Sequence, residues 1–555
     1  MNPDTNESHS AASKKTLFVL LIACLVYVQA VTFPFLHLDD TIYIVENGYV
    51  HKWKSLPSFF TGSAESVGRD KAPPVANLYR PLPAIWLLLN YKLFGVHPAL
   101  WHISALGLYL LGVWLVWRVA WKLTHDEFVS LAGSLIYALH PTHVEGVAWV
   151  SGAAVDTLLS VLFFSAFLAY LRWREEGRWL WLAVCGTLTL LAFFAKETAA
   201  ALPILMLAHN SIFRSRSYAA ADRGRSQLPL AITTIAAVGT YALLRLHALH
   251  SVVVSRPQHS WGDVFRTAPL AFVTYLQHAF WPVHLALWYE VRIVTAPGLT
   301  NFYLPLAVCV AWTALISWVI AREPLDGFLL LWWTISLAAP IVGIVTFPEF
   351  AIVQDRMSFV AVAGLAMVVA RLLARIPNRN ERVLFGFNAT ATVAGFALAA
   401  ALGMLSAAQV NTWKSDLVML SHAIEVTPMS VRPRVLLGAE YLKLGDPGRS
   451  VAAYRAAVDL APNRWEILYS YGIALASNGN RPEAIRAMQR SIQVSPTMTP
   501  PYMVAADLLY REGRLDEAIA TLESGVPIVR EPDFLRGRLA PLLRVRHSMA
   551  EKQKR

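Results

Sequence analysis

Apolar residues along the chain gather into long runs separated by short polar connectors. The first run, residues 16–36 (TLFVLLIACLVYVQAVTFPFL), has spanning length and follows Lys14 and Lys15. Further runs cover 98–121, 127–140, 147–171, 179–195, 198–212, 229–248, 264–288, 302–321, 327–347, 357–376 and 384–407. Runs of this length with so few charges predict helices that cross a membrane. The first run carries no Ala-x-Ala-type cleavage site behind a shorter apolar core, so it reads as an uncleaved span.

Charge in the connectors orients the runs. Arg118 and Lys122, then Arg172, Arg174 and Arg178, then Arg214, Arg216, Arg223 and Arg225, and finally Arg371, Arg375, Arg379 and Arg382 mark four basic loops. Positively charged loops stay in the cytoplasm, which also holds Lys14 and Lys15 there. Five runs lie between the third and fourth basic loops, yet two cytoplasmic loops must be separated by an even number of crossings. The run that fails to cross is 264–288, because Arg266, His278, Pro282 and His284 would otherwise meet lipid. It reads as an interfacial or re-entrant helix on the external side, leaving about eleven spans and an external carboxyl end.

Beyond residue 410 the pattern changes. Gly445, Gly479 and Gly513 recur every 34 residues, as do Pro428, Pro462 and Pro496, and Leu437, Gly438, Tyr441, Tyr454 and Ala457 stand at tetratricopeptide spacing. About three helical hairpins stacked into a short solenoid follow. The expected fold is therefore all-α: a membrane domain over 1–410, a repeat domain over 411–540 and a basic tail over 541–555.

Composition agrees with a membrane protein. Of 555 residues, 56% are hydrophobic and 15% charged, which no soluble domain of this size tolerates. The net charge of +11 resides in the connectors, so positive-inside topology accounts for it and nucleic-acid binding is excluded. Cys24, Cys185 and Cys309 lie singly within apolar runs and read as small core residues.

With this topology the remaining ionisable residues gather on the external face. They are Asp39 and Asp40 in the first loop, Tyr79 and Arg80 before the next run, His140, His143, Glu145 and Asp156, then Lys196 and Glu197, then Asp355 and Arg356. So many charges at one set of helix ends mark a site. Arginine and lysine there suit a phosphate, and a carboxylate suits deprotonation of an attacking hydroxyl. Together they fit a lipid-linked sugar whose head group reaches that face. The spacing His140, His143, Glu145 also offers three ligand types for a divalent metal, an alternative to hydrogen bonding with donor or acceptor.

The stretches LDDTIYIVEN, YRPLPAIWLLLNYKLFGVHPALWHI, ALHPTHVEGVAWVSGAAVDTLLSVLFF, AKETAAALPILM, FWPVHLALWY and QDRMSFVAVAGL, in this order and followed by tetratricopeptide repeats, resemble the transmembrane and tetratricopeptide-repeat O-mannosyltransferases and their bacterial relatives. These belong to the GT-C superfamily of polyprenyl-phosphate-sugar-dependent glycosyltransferases. The resemblance implies inverting transfer of mannose or a similar hexose from an undecaprenyl or dolichyl phosphate to protein hydroxyls, with a first-loop acid as base. The resemblance places that acid at the pair Asp39 and Asp40, of which Asp40 is expected narrowly ahead of Asp39 as the base. Arg80, Arg356 and Lys196 become ligands of the donor phosphate, and Tyr79, His140, His143, Glu145, Asp156 and Glu197 contact donor or acceptor. Met357 stands where the family usually has tyrosine, and the proline that follows there is missing. The expected location is a bacterial inner membrane with periplasmic repeats that receive protein or peptide, or the endoplasmic reticulum membrane in a eukaryote. Transfer to a lipid or envelope glycan, and a non-catalytic membrane scaffold, are the competing readings.

Overall fold

The computed structural model describes residues 3–62, 78–213, 227–250, 257–378 and 382–553. Arg214, Arg216, Arg223, Arg225 and Arg379 of the basic connectors lie outside the described residues. Two compact units divide the chain, 1–415 and 416–555.

The first unit is built from α1 (Pro3–Tyr27), α2 (Pro81–Phe94), α3 (Pro98–Thr124), α4 (Glu127–Ala138), α5 (Val150–Glu176), α6 (Trp179–Ala195), α7 (Ala201–Phe213), α8 (Leu228–Leu249), α9 (Trp261–Phe280), α10 (Leu304–Arg322), α11 (Pro324–Gly343), α12 (Val362–Ala374) and α13 (Ala389–Asn411). Among the described residues, seven helical segments are long and apolar enough to cross a membrane: 14–32, 98–124, 150–176, 228–249, 299–322, 324–343 and 389–411. The chain is a multi-pass, all-α membrane protein. Of the other segments expected to span, α4, α6 and α12 are shorter apolar helices, and α7 has only 13 residues.

The short helices have a physical cause. Twelve or thirteen residues in α4 and α12 reach roughly 18–20 Å at 1.5 Å per residue, well below a hydrocarbon core of about 30 Å. Beside each lies buried chain in short turns: after α4, residues 139–150, which include the 3-10 turn Pro141–His143 and the five-residue helix Val144–Ala148, are buried without exception, and before α12 residues 351–361 are buried apart from Arg356. Such chain is tolerated at membrane depth where protein surrounds it. Asp126 starts α4 by accepting the Val129 N–H at 3.0 Å. The 264–288 run becomes α9, opened by a capping box between Ser260 and Asp263. Its polar residues are satisfied within the protein: Arg266 bonds Asp263 at 2.6 Å and the Val294 carbonyl at 3.0 Å, and His278 bonds Asp355 at 3.0 Å.

Helix α5 packs on α3 and α6, and α4 packs on α3 and α12. Phe163, Phe164 and Phe167 on α5 meet Trp332 on α11, whose ring lies 4.8 Å from that of Phe167. A two-residue hairpin precedes α13, with β1 (Val383–Leu384) antiparallel to β2 (Phe387–Asn388) and Leu384 opposite Phe387. Phe385 and Gly386 turn it with φ of 54° and 85°, the geometry a tight hairpin requires.

The second unit is a stack of helices: α14 (Asp416–Val426), α15 (Val431–Lys443), α16 (Pro447–Leu460), α17 (Trp465–Ser477), α18 (Arg481–Val494), α19 (Thr499–Arg511), α20 (Leu515–Gly525) and α21 (Pro532–Gln553). Gly445, Gly479 and Gly513 stand at φ of 74°, 83° and 76°, each reversing the chain between the helices of a hairpin. Pro428, Pro462 and Pro496 each follow the last helical residue by two positions, where a helix cannot continue. A Cβ on Gly438 would lie 2.7 Å from the Tyr454 ring, so this glycine sets how closely α15 and α16 approach. Gly438→Val is expected to lower the thermal midpoint of the unit by forcing Tyr454, 3% exposed, out of the core. Overpacking of this kind costs about 1–3 kcal/mol, and calorimetry of the variant checks it.

The expected boundary at 540 does not appear as a break. Leu535 is fully buried, and Leu539 and Leu542 pack on the same core at helical spacing. One helix, α21, therefore runs through residues 541–553. The basic composition of this stretch concealed its apolar face.

Candidate active site

A cavity of about 210 Å³ lies where the loop after α1, the start of α2, the first turns of α5, the α6–α7 loop and residues 356–357 meet. Its charged lining is Asp39, Arg80, Asp156, Lys196 and Arg356. Ser151, Gly152, Ala154 and Val155 bring the amino end of the long helix α5 to the wall, the end that favours an anion.

The adjacent first-loop acids part company here. Asp39 is half-buried and lines the cavity. Asp40 is 1% exposed and its carboxylate is used up in packing: Oδ2 accepts the Leu36 N–H at 3.0 Å, and Oδ1 accepts the Ser151 N–H at 2.9 Å and the Ser151 hydroxyl at 2.5 Å. Asp40 precedes the short π-helical turn Thr41–Val45 without capping it through its side chain. It ties the first loop to the start of α5. Burial pushes its carboxyl up to about 6 against these hydrogen bonds, and the neighbouring Asp39 adds to the rise.

Each cation of the cavity is held by an acid. Arg80, at the start of α2, donates from Nε at 2.9 Å and Nη2 at 2.6 Å to one oxygen of Glu197, whose other oxygen lies 3.5 Å from Arg245. Lys196 meets Asp156 at 2.5 Å, both nearly inaccessible. Arg356 lies over the Trp149 ring at 4.9 Å, bonds Gln354 at 3.1 Å and stands 3.4 Å from Glu145. Glu145 also accepts the Arg356 backbone N–H at 3.2 Å. An anion entering the cavity thus meets guanidinium groups already oriented, and can exchange with their carboxylates.

Three expected site residues, Tyr79, His140 and His143, are buried and do not line this cavity. Tyr79 is fully buried and its hydroxyl donates to the Phe60 carbonyl at 3.0 Å. His140 accepts the Thr142 N–H at Nδ1 and meets the Ala279 carbonyl through Nε2 at 3.0 Å. His143 bonds the Phe359 carbonyl through Nε2 at 3.1 Å and Tyr109 through Nδ1 at 3.3 Å. With the ring nitrogens committed in this way, His140, His143 and Glu145 do not bring three ligand atoms within 4.8 Å of one another, and the metal alternative loses its ligand set.

Other groups escaped sequence reasoning. Tyr43, Asn47, Trp149 and Ser151 line the cavity, and Met357, noted above for its departure from the family, stands in the wall beside Arg356. Arg245 reaches Glu197 from the far end of α8, where only its basic character within an apolar run marked it. Asp355 is pinned by His278 at 3.0 Å and by the Tyr289 hydroxyl at 2.5 Å, which fixes the backbone that presents Arg356.

Fold and site together define a polytopic helical membrane protein with a cavity lined by Asp39, Arg80, Asp156, Lys196 and Arg356, and a helical-repeat unit. The tetratricopeptide repeat family model matches residues 435–498. The resemblance to the transmembrane and tetratricopeptide-repeat O-mannosyltransferases holds in direct comparison. The chain is 35% identical over 121 residues to protein O-mannosyl-transferase Tmtc1 of Drosophila melanogaster, covering 22% of this chain and 14% of that protein. It is 32% identical over 235 residues to Tmtc2 of the same organism, covering 40% and 23%. A protein O-mannosyl-transferase of Caenorhabditis elegans is 21% identical over 505 residues, 88% of this chain and 64% of that protein. The chain thus spans less than a quarter of the length of the two fly relatives. The crystal structure of ArnT from Cupriavidus metallidurans bound to undecaprenyl phosphate superposes with a TM-score of 0.38 at 12% identity, over 87% of this chain and 81% of that one.

Proposed function

We propose that the chain is a membrane glycosyltransferase of the GT-C type that passes a hexose, mannose by analogy with its relatives' names, from a polyprenyl phosphate to protein hydroxyls. The observation that carries the reading is the cavity that sets the Asp39 carboxylate among Arg80, Lys196 and Arg356. The acceptor oxygen attacks the anomeric carbon as the bond from that carbon to the phosphate oxygen breaks, inverting the centre. Asp39 takes the hydroxyl proton, and the arginines hold the charge left on the departing polyprenyl phosphate. Asp40 acts as a positioning residue through Ser151, which reverses the order expected from the sequence. The repeats supply a groove for the acceptor chain, and the basic connectors put this face in the periplasm or lumen.

Donor kinetics test the phosphate assignment. Arg80→Lys and Arg356→Lys keep charge but lose the two-pronged guanidinium, and each is expected to raise the KM for the lipid donor about tenfold, the scale of a charge-assisted hydrogen bond. Unchanged donor kinetics in these and in the matching alanine variants would make both arginines structural.

A further inference from the structure

A second cavity of the membrane unit, about 330 Å³, shares no lining residue with the first. Residues 14–19 of α1, the starts of α4 and α13 and the β1–β2 turn enclose it. Helix α1 passes it at residues 14–19 and leads to Asp39 beyond its carboxyl end. Helix α13 begins there and runs toward Trp413, which stacks at 6.0 Å on Trp149 of the candidate active site. The two cavities therefore sit at opposite ends of α13, and α1 runs from one toward the other.

The walls are apolar, with Phe18, Phe128, Phe385, Phe387 and Phe396 among them. Among the described residues, the charged lining is Lys14 and Lys15, midway along α1. Lys15 pairs with Glu127 at 2.9 Å, and its Nζ lies 4.4 Å from the centre of the Phe387 ring. Leu17, Leu21 and Leu25, one above another on α1, are 55%, 53% and 70% exposed, so this helix turns an apolar face outward beside the cavity.

From this arrangement we infer that the cavity takes an acyl chain of an anionic glycerophospholipid whose phosphate rests on Lys14 and Lys15. The volume lies within the roughly 300–1,000 Å³ of small-ligand sites. A wall so poor in hydrogen-bonding groups selects a hydrocarbon chain over a polar metabolite. The paired ammonium groups at one end add charge complementarity to a phosphodiester, and the exposed leucines put the entrance among lipid chains. The site would bind from the leaflet opposite the transfer reaction, and it does not depend on the catalytic reading.

Native mass spectrometry of the full chain tests the inference, after incubation in neutral detergent with equimolar dioleoyl phosphatidylglycerol and dioleoyl phosphatidylcholine. One phosphatidylglycerol per chain should be retained, preferred about tenfold, the scale of two lysines facing an anionic lipid. Gly395 lines the cavity, and a Cβ there would make only ordinary contacts with Phe128 at 3.7 Å and Leu373 at 3.9 Å. Gly395→Phe is expected to fill the space and abolish retention, with Leu131→Trp as the second filling variant should the first misfold. Lys14→Gln combined with Lys15→Gln should keep a lipid and lose the preference. Equal retention of both lipids by the wild type would overturn the proposal, as would full retention in the filled variants. Displacement of the lipid by glycerol 3-phosphate alone would reduce the site to an anion site and also overturn it.

Discussion

Asp39→Asn is expected to lower turnover about a hundredfold or more with expression and donor KM intact, the scale of losing a general base. Asparagine is nearly isosteric and still fills its place in the cavity wall, but it cannot take a proton. Asp40→Asn behaves differently, because its new NH2 group faces N–H or O–H donors from Leu36 or Ser151. Its loss is smaller and is reproduced in part by Ser151→Ala, which removes one of those bonds without touching either acid. Wild-type turnover in Ser151→Ala, beside an inactive Asp40→Asn, would instead make Asp40 the base. Stability against pH separates the acids further. Burial raises the Asp40 carboxyl from 3.8 to about 6, so the folded state holds this proton more tightly than the unfolded one. The contribution is complete below 3.8 and lost as pH rises through 6, and Asp40→Asn should flatten the unfolding profile in that window.

The Asp156 and Lys196 pair is expected to produce the largest stability effect. The side chains meet at 2.5 Å and are 2% and 3% exposed. Asp156→Asn or Lys196→Met strands one charge in a poorly hydrated setting, a loss of about 3–5 kcal/mol. The double variant Asp156→Leu, Lys196→Met removes both charges and should recover most of the thermal midpoint without recovering turnover, since both residues line the cavity. Midpoints of the single variants equal to wild type would show that water already reaches the pair.

The repeat unit was legible because its constraints are local. Gly445, Gly479 and Gly513 need the left-handed region and the prolines mark helix ends, so period and architecture stand in the letters themselves. The converging polar segments were legible as well, since charges at helix ends on one face have little other use. Which acid faces the cavity was not. Asp39 and Asp40 are neighbours, and the choice depends on Ser151, 111 residues away in sequence. His140 and His143 looked like ligands for a related reason. Their spacing suits a metal, whereas their partners, the carbonyls of Ala279 and Phe359, are backbone groups that no side-chain pattern announces. Span lengths were overestimated at α4 and α12, where the apolar run extends beyond the helix into buried short turns, after α4 and before α12.

Glycosyl transfer from a polyprenyl phosphate to protein is the central claim. The purified full chain, reconstituted in vesicles, is to be given a panel of radiolabelled polyprenyl-phosphate hexoses and a membrane-depleted lysate. A protein band labelled from one donor, absent with Asp39→Asn and released as sugar by alkaline elimination, is the expected result. Failure to consume any donor, or label appearing only in lipid or glycan, would contradict it.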